Sequence, residues 1–354
     1  MSGRVALVTG AASGIGAATA RRISQTVGGL VLVDRNRAAL DALAAELRGP
    51  ELLVRDGDVG TEAPWAEIEE AVERRFGRLD HVVANAGIAH GAPLAETSFE
   101  DWRRVLSVNL DGAFLTLRTG LRLLRKSGEG GTAVVVSSVA AVKAEPGIAA
   151  YAASKAGAAQ LVRVAAKEGA RDKIRVNGVL PGGVETPIWT QTPFFQELVA
   201  TAGSERAAFD QMAAMATPLG RYASADEIAG LIAFLLADAS GTMTGALLVS
   251  DGGYSLAQRT VPETGENRSR TRNGLKPRGT EGTEGREIKS YFFCALCASV
   301  VRILLRGRSW ARANRLPEGE GLNRLDVKSV RRTREHACSL LLASLAPWRF
   351  SLSL

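Results

Sequence analysis

The sequence predicts an α/β chain built on a doubly wound, Rossmann-type, seven-stranded parallel sheet. Three observations predict it. Short apolar runs alternate with helical patterns from Arg4 to Val249, the first run ends in a glycine-rich turn at Gly10, and polar residues gather where the apolar runs end. The runs at 4–9, 30–33, 52–55, 79–84, 132–138, 174–180 and 247–249 read as strands. Helical patterns fall at 17–27, 37–47, 61–76, 98–126, 148–166 and 223–236.

After the first strand comes Gly10-Ala-Ala-Ser13-Gly14-Ile15-Gly16, followed by a helix start. This layout suits a pyrophosphate: glycines admit close backbone approach, and a helix N-terminus offers free N–H groups and positive dipole. The spacing is G-x-x-x-G-x-G, not the commoner G-x-G-x-x-G. A plain tight β-α turn is the structural alternative. The second strand ends at Asp34, 18 residues after Gly16, where an acceptor for adenosine ribose hydroxyls is expected. A 2′-phosphate there would face like charge, which favours NAD over NADP. Arg35 pulls the other way, since a swung-out guanidinium could pair with that phosphate. Asp34 could equally cap the following helix.

Asp58-Val59 follows the third strand, and Asn85-Ala-Gly87 follows the fourth, a small-residue turn against which a flat ligand could lie. His81 sits mid-strand and reads as structural. Asn109 falls inside the long 98–126 helical region, where a buried amide needs partners. Ser138 ends the fifth strand, at the edge where ligands of open parallel sheets bind. Pro181-Gly182 ends the sixth. The 184–218 insert carries Trp189, Phe194, Phe195, Met212 and Met215. Such a segment is either a lid on an apolar pocket or a packing of short helices.

Tyr151-Ala-Ala-Ser-Lys155 lies in an Ala-rich helical run, so the phenol and ammonium share one face. Lowering a phenol from pKa about 10 to neutrality takes roughly 4 kcal/mol. An ammonium about 4 Å away at an effective dielectric near 20 supplies a similar amount. The pair could act as a proton donor and acceptor near neutral pH.

These motifs, in order, resemble the compact branch of the short-chain dehydrogenase/reductase family over residues 1 to about 257. The matching pieces are Thr9-Gly-x-x-x-Gly-Ile-Gly16, Asp58, Asn85-Ala-Gly87, Asn109, Ser138, Tyr151-x-x-x-Lys155 and Pro181-Gly182. The resemblance implies catalytic roles for Asn109, Ser138, Tyr151 and Lys155. Tyr151 would exchange the substrate proton, Lys155 would lower the Tyr151 pKa and hold the nicotinamide ribose, Ser138 would bind the substrate oxygen, and Asn109 would hold a water. It assigns cofactor contacts to Gly10, Ser13, Gly14, Ile15, Gly16, Asp34, Arg35, Asp58, Val59, Asn85, Gly87, Pro181, Gly182, Val184 and Thr186, as well as to Tyr151 and Lys155. The implied enzyme is an NAD-dependent oxidoreductase, with NADP possible, interconverting a small-molecule secondary alcohol and a ketone. A non-catalytic dinucleotide sensor or scaffold is the alternative. Members of this branch are commonly homotetramers.

Of the 354 residues, 44 are Lys or Arg and 37 Asp or Glu. The excess sits beyond residue 258: residues 259–354 hold 19 basic against 9 acidic groups, and residues 1–258 hold 25 against 28. A nucleic-acid partner is therefore not expected of the first 258 residues. Cys294, Cys297 and Cys338 all lie in the 258–354 segment, whose low-complexity start reads as a poorly structured basic tail. Cys294-x-x-Cys297 lacks a second ligand pair at zinc spacing, so no metal is expected. With no signal layout and no run of about 20 apolar residues, the expected place is the cytoplasm.

Overall fold

The computed structural model describes residues 3–190 and 192–256; the expected tail and its three cysteines lie outside the described residues. The first half runs β1 (Val5–Thr9), α1 (Gly14–Ile23), β2 (Gly29–Asp34), α2 (Arg37–Glu46), β3 (Glu51–Asp56), α3 (Ala63–Phe76) and β4 (His81–Ala84). The second runs α4 (Phe99–Leu106), α5 (Gly112–Ser127), β5 (Gly131–Val136), α6 (Ala149–Gly169) and β6 (Ile174–Pro181). The insert holds β7 (Val184–Glu185), α7 (Pro187–Thr190), α8 (Pro193–Ala202) and α9 (Glu205–Ala216). β8 (Ala223–Ser224), α10 (Ala225–Leu236) and β9 (Leu247–Ser250) follow.

The seven strands expected from the apolar runs form one parallel sheet in the order β3-β2-β1-β4-β5-β6-β9. Helices cover both faces, which is why β1 is apolar at successive positions. Val5 and Leu7 pack with Trp65, Ile68 and Val162 on one side. Ala6 and Val8 pack with Ile23, Leu40 and Ile228 on the other. Strand order reverses between β1 and β4, so the crevice above their C-terminal ends is where a ligand binds in such a sheet.

Two local readings need correction, and the insert decides between its two alternatives. The cap of α2 is Asn36, whose side chain accepts from Ala39 N at 3.1 Å, so Asp34 is free of that duty. The 98–126 region is not one regular helix: α4 and α5 are joined by a π-helical turn at Ser107–Asp111 that contains Asn109. In the insert, Phe195, Phe209 and Met212 pack with Tyr222 into a small core of their own. The short-helix reading therefore holds for these side chains, whereas Phe194 and Met215 are exposed.

His81 is structural, as expected. Its Nδ1 lies 2.7 Å from Thr132 Oγ1 across β4 and β5, and burial pushes its pKa from the ordinary 6.5 down to about 4. The folded chain therefore resists a proton that the unfolded chain accepts between those two values. Stability should fall as pH drops from 6.5 toward 4, by on the order of 2 kcal/mol near pH 5. Urea midpoints at about pH 7 and 5 should show this loss in the wild type and a smaller one in His81→Gln. An equal loss in both proteins would assign the acid sensitivity elsewhere.

Candidate active site

The crevice begins at the turn after β1. Gly10 and Gly14 adopt left-handed backbone, with φ of +63° and +51°. Gly16 is tighter still: a Cβ there would lie 1.9 Å from the Gly10 carbonyl oxygen and 2.6 Å from Asn85 Nδ2. This turn folds onto the end of β4, where Asn85 Nδ2 donates to the carbonyls of Thr9 (3.0 Å) and Gly10 (3.2 Å). Thr9 Oγ1 in turn accepts from the Asn85 and Ala86 N–H groups. Ser13 is exposed ahead of α1 and makes no side-chain cap, while Ile15 packs against the core. The first turn of α1 carries no acidic residue.

Asp34 sits beside this turn, with Oδ2 accepting from Ala12 N at 3.1 Å and Oδ1 from Asn36 N at 3.0 Å. Arg35 is exposed. Arg37 is committed to two carboxylates, at 2.9 Å from Asp41 and 3.2 Å from Asp56. Asp58 is exposed and accepts from Gly60 N, whereas Val59 is buried and packs against Gly112 of α5.

Across the crevice, Gly87 bridges the two halves. A Cβ on Gly87 would lie 3.1 Å from Lys155 Nζ and 3.3 Å from Asn109 Oδ1. Lys155 is buried, donates from Nζ to the Val136 carbonyl at 3.0 Å, and is tied again through its own carbonyl, which accepts from Ser137 Oγ. Tyr151 and Ser138 share a side-chain hydrogen bond, so strand end and helix present their hydroxyls together. The Lys155 ammonium lies 5.8 Å from the Tyr151 ring centroid, one helical turn on.

The electrostatics differ from the expected phenol–ammonium pairing. Burial pushes the Tyr151 phenol up, and the Ser138 hydrogen bond opposes this without overcoming it. Burial also pulls the Lys155 ammonium down to about 8. A solvated ammonium about 4 Å from the hydroxyl would lower the phenol, but here the cation is itself desolvated and anchored to a β5 carbonyl.

Pro181 closes β6 opposite Ser250 of β9. Gly182 lies so close to Asp251 that a Cβ would come within 2.7 Å of its Cα. Val184 is buried in the short β7–β8 pair. Thr186 is buried and donates to the Val184 carbonyl, and its side chain would be 3.3 Å from a Cβ on Gly14. The loop after β6 thus reaches back to the glycine turn.

Sequence reasoning missed Ser154. Its side chain is fully buried, and its hydroxyl lies between Asn109 and the Tyr151 carbonyl. The available signal was a polar residue on the packed side of an otherwise Ala-rich helix. It also missed Arg206, which holds α9 to Glu185 of β7 at 2.9 Å.

Residues 10–255 match the family model described as enoyl-(acyl carrier protein) reductase. The chain belongs to the short-chain dehydrogenase/reductase family. It is 40% identical over 255 residues to cis-4-hydroxycyclohexanecarboxylate dehydrogenase of Sinomonas cyclohexanicum, covering 71% of this chain and 96% of that one. It is 38% identical to D-threitol dehydrogenase of Mycolicibacterium smegmatis, over 72% of this chain and 94% of that one. Among solved structures it resembles levodione reductase, with a TM-score of 0.66 and 33% identity, over 73% of this chain and 100% of that one. As a short-chain dehydrogenase/reductase, the chain is an oxidoreductase of CH–OH groups. Among the described residues, no helix is long and apolar enough to cross a membrane.

Proposed function

We propose that this enzyme interconverts a secondary alcohol and a ketone on a small molecule, using NAD(H), with Tyr151 as the proton donor and acceptor. The observation that carries the reading is continuity. The glycine turn touches Asn85, Gly87 of the same turn reaches Lys155, and Lys155 and Tyr151 lie one helical turn apart, with Tyr151 bonded to Ser138. Relatives whose names denote dehydrogenases of a cyclic hydroxy acid and of a polyol support a carbinol substrate.

The residues fit a dinucleotide. A Cβ at Gly16 would strike the Gly10 carbonyl oxygen and one at Gly87 would crowd Lys155, so both positions along the crevice are held to bare backbone. Gly10, Ser13, Gly14, Ile15 and Gly16 would hold its pyrophosphate, Asp34 and Arg35 its adenosine ribose, and Asp58 and Val59 its adenine. Asn85, Gly87, Lys155, Pro181, Gly182, Val184 and Thr186 would line its nicotinamide half. When bound, the nicotinamide supplies or receives the hydride.

The chain's own work is on the proton and the charge. Tyr151 Oη gives its proton to the substrate oxygen in reduction and takes it in oxidation. Ser138 Oγ bonds that same oxygen as it gains alkoxide character. The Lys155 ammonium, fixed on the Val136 carbonyl one helical turn from Tyr151, would hold the nicotinamide ribose. Ser138 and Lys155 are buried and Tyr151 is half-buried, so water has little access to the three groups. A panel of cyclic hydroxy acids, polyols and 3-oxoacyl thioesters, followed by nicotinamide absorbance, tests the reaction class. Turnover of at least one carbinol or ketone is expected; none across the panel, with NADH still bound, would refute it.

Preference for NAD follows from Asp34 and from Arg37, whose guanidinium is already neutralised by two carboxylates. Asp34→Asn removes a charge facing the 2′-position and keeps an acceptor for Ala12 N. It should raise the NADPH-to-NADH ratio of kcat/KM by about tenfold or more. A wild type that already prefers NADPH would mean the exposed Arg35 dominates.

A further inference from the structure

We infer that Ser154 is a positioning residue for the proton transfer: its hydroxyl fixes the first turn of α6, and Tyr151 with it, to Asn109 and the Ile88 backbone. The inference rests on the reading of Tyr151 as acid/base.

Ser154 Oγ donates to the Tyr151 carbonyl at 2.7 Å, three residues back along α6. The same oxygen accepts from Asn109 Nδ2 at 3.0 Å. Asn109 is otherwise spent on one residue, with Nδ2 donating to the Ile88 carbonyl at 3.0 Å and Oδ1 accepting from Ile88 N at 2.8 Å. Both amide hydrogens of Asn109 are thus used within the protein, and one of them ends on Ser154. Ser154 is fully buried and Asn109 nearly so, so water cannot easily replace a lost partner.

The bridge ties together three pieces of the site that are distant in sequence. Ile88 follows the Asn85-Ala-Gly87 turn, Asn109 lies in the π-helical turn, and Ser154 separates Tyr151 from Lys155. The π-helical turn is itself pinned: Ser107 Oγ donates to the Gly60 carbonyl at 3.3 Å, and Leu110 packs where a Cβ on Gly157 of α6 would sit. A serine that donates back along its helix bends or loosens that turn unless a second partner holds it. Here Asn109 is that partner. The Tyr151 backbone is set by this contact, while its phenol is set by Ser138.

The test is a double-mutant cycle in the full chain, using Ser154→Ala, Asn109→Ala and the pair, with Tyr151→Phe as reference. Ser154→Ala should lower kcat about tenfold. It should shift the pH limb assigned to Tyr151 and leave the NADH dissociation constant within about twofold of wild type. In the Asn109→Ala background the same change should cost less than about twofold, because its partner is already gone. An unmoved pH limb with near-wild-type kcat overturns the inference, as do effects that simply multiply. A parallel collapse of NADH binding would make the role merely structural and overturns it too. Should Asn109→Ala fail to fold, the kcat and pH limb of Ser154→Ala decide alone. Turnover retained by Tyr151→Phe would instead refute the acid/base reading, whatever Ser154 does.

Discussion

Tyr151→Phe is expected to lower kcat by about 10²–10⁴-fold, the range carried by a positioned general acid–base group. Removing Oη deletes the proton that must move with the hydride, along with the hydrogen bond to Ser138. The ring stays, and so does its place on α6, whose backbone is held by Ser154 and by the Lys155 contacts. NADH affinity, measured by fluorescence titration, should therefore stay within a few-fold of wild type, and thermal stability should change little. The sign of the pH dependence follows from burial. The phenol is pushed up, so its deprotonated form, needed to accept a proton from an alcohol, grows toward alkaline pH. Alcohol oxidation by the wild type should rise with pH, and the variant should lose that limb. Activity within a few-fold of wild type in Tyr151→Phe would remove the phenol from the reaction.

Gly16→Ala should be the most damaging small substitution in the crevice. The new methyl would meet the Gly10 carbonyl oxygen at 1.9 Å, and backbone cannot swing aside as a flexible side chain can. Relief requires the glycine turn to move off α1 or off Asn85, and both are hydrogen-bonded in place. Overpacking of this kind costs roughly 3 kcal/mol, which corresponds to a fall in Tm of about 6–12 °C for a domain of this size. The same movement disturbs the pyrophosphate surface, so NADH binding should weaken more than tenfold, beyond what the stability loss explains. Calorimetry and titration on the same sample separate the two effects. A variant with wild-type Tm and affinity would show that the turn has slack the contacts deny.

Much of the site was legible because its residues announce themselves locally. Gly10, Gly14 and Gly16 stand where a strand meets a helix, and Tyr151 and Lys155 share a helix face by spacing alone. Asp34 was legible as an acceptor but not as free of capping, because Asn36 two residues on competes for the same helix end. The π-helical turn around Asn109 left no periodic trace, since one extra residue in a helix barely disturbs a pattern read over 29 positions. Ser154 was passed over because its partner lies 45 residues away.

The alternation of apolar runs and helices determined the parallel sheet and its covered faces, because burial on both sides demands apolar strands whatever follows. The order of small and polar residues at the strand ends determined the family and the kind of reaction. Only the tertiary structure decided the balance at Tyr151 and Lys155. Spacing along one helix placed the ammonium near the phenol, but the depth of burial and the β5 carbonyl that holds Nζ come from another element. Desolvation depends on everything packed around a group, and no single stretch of sequence carries that information.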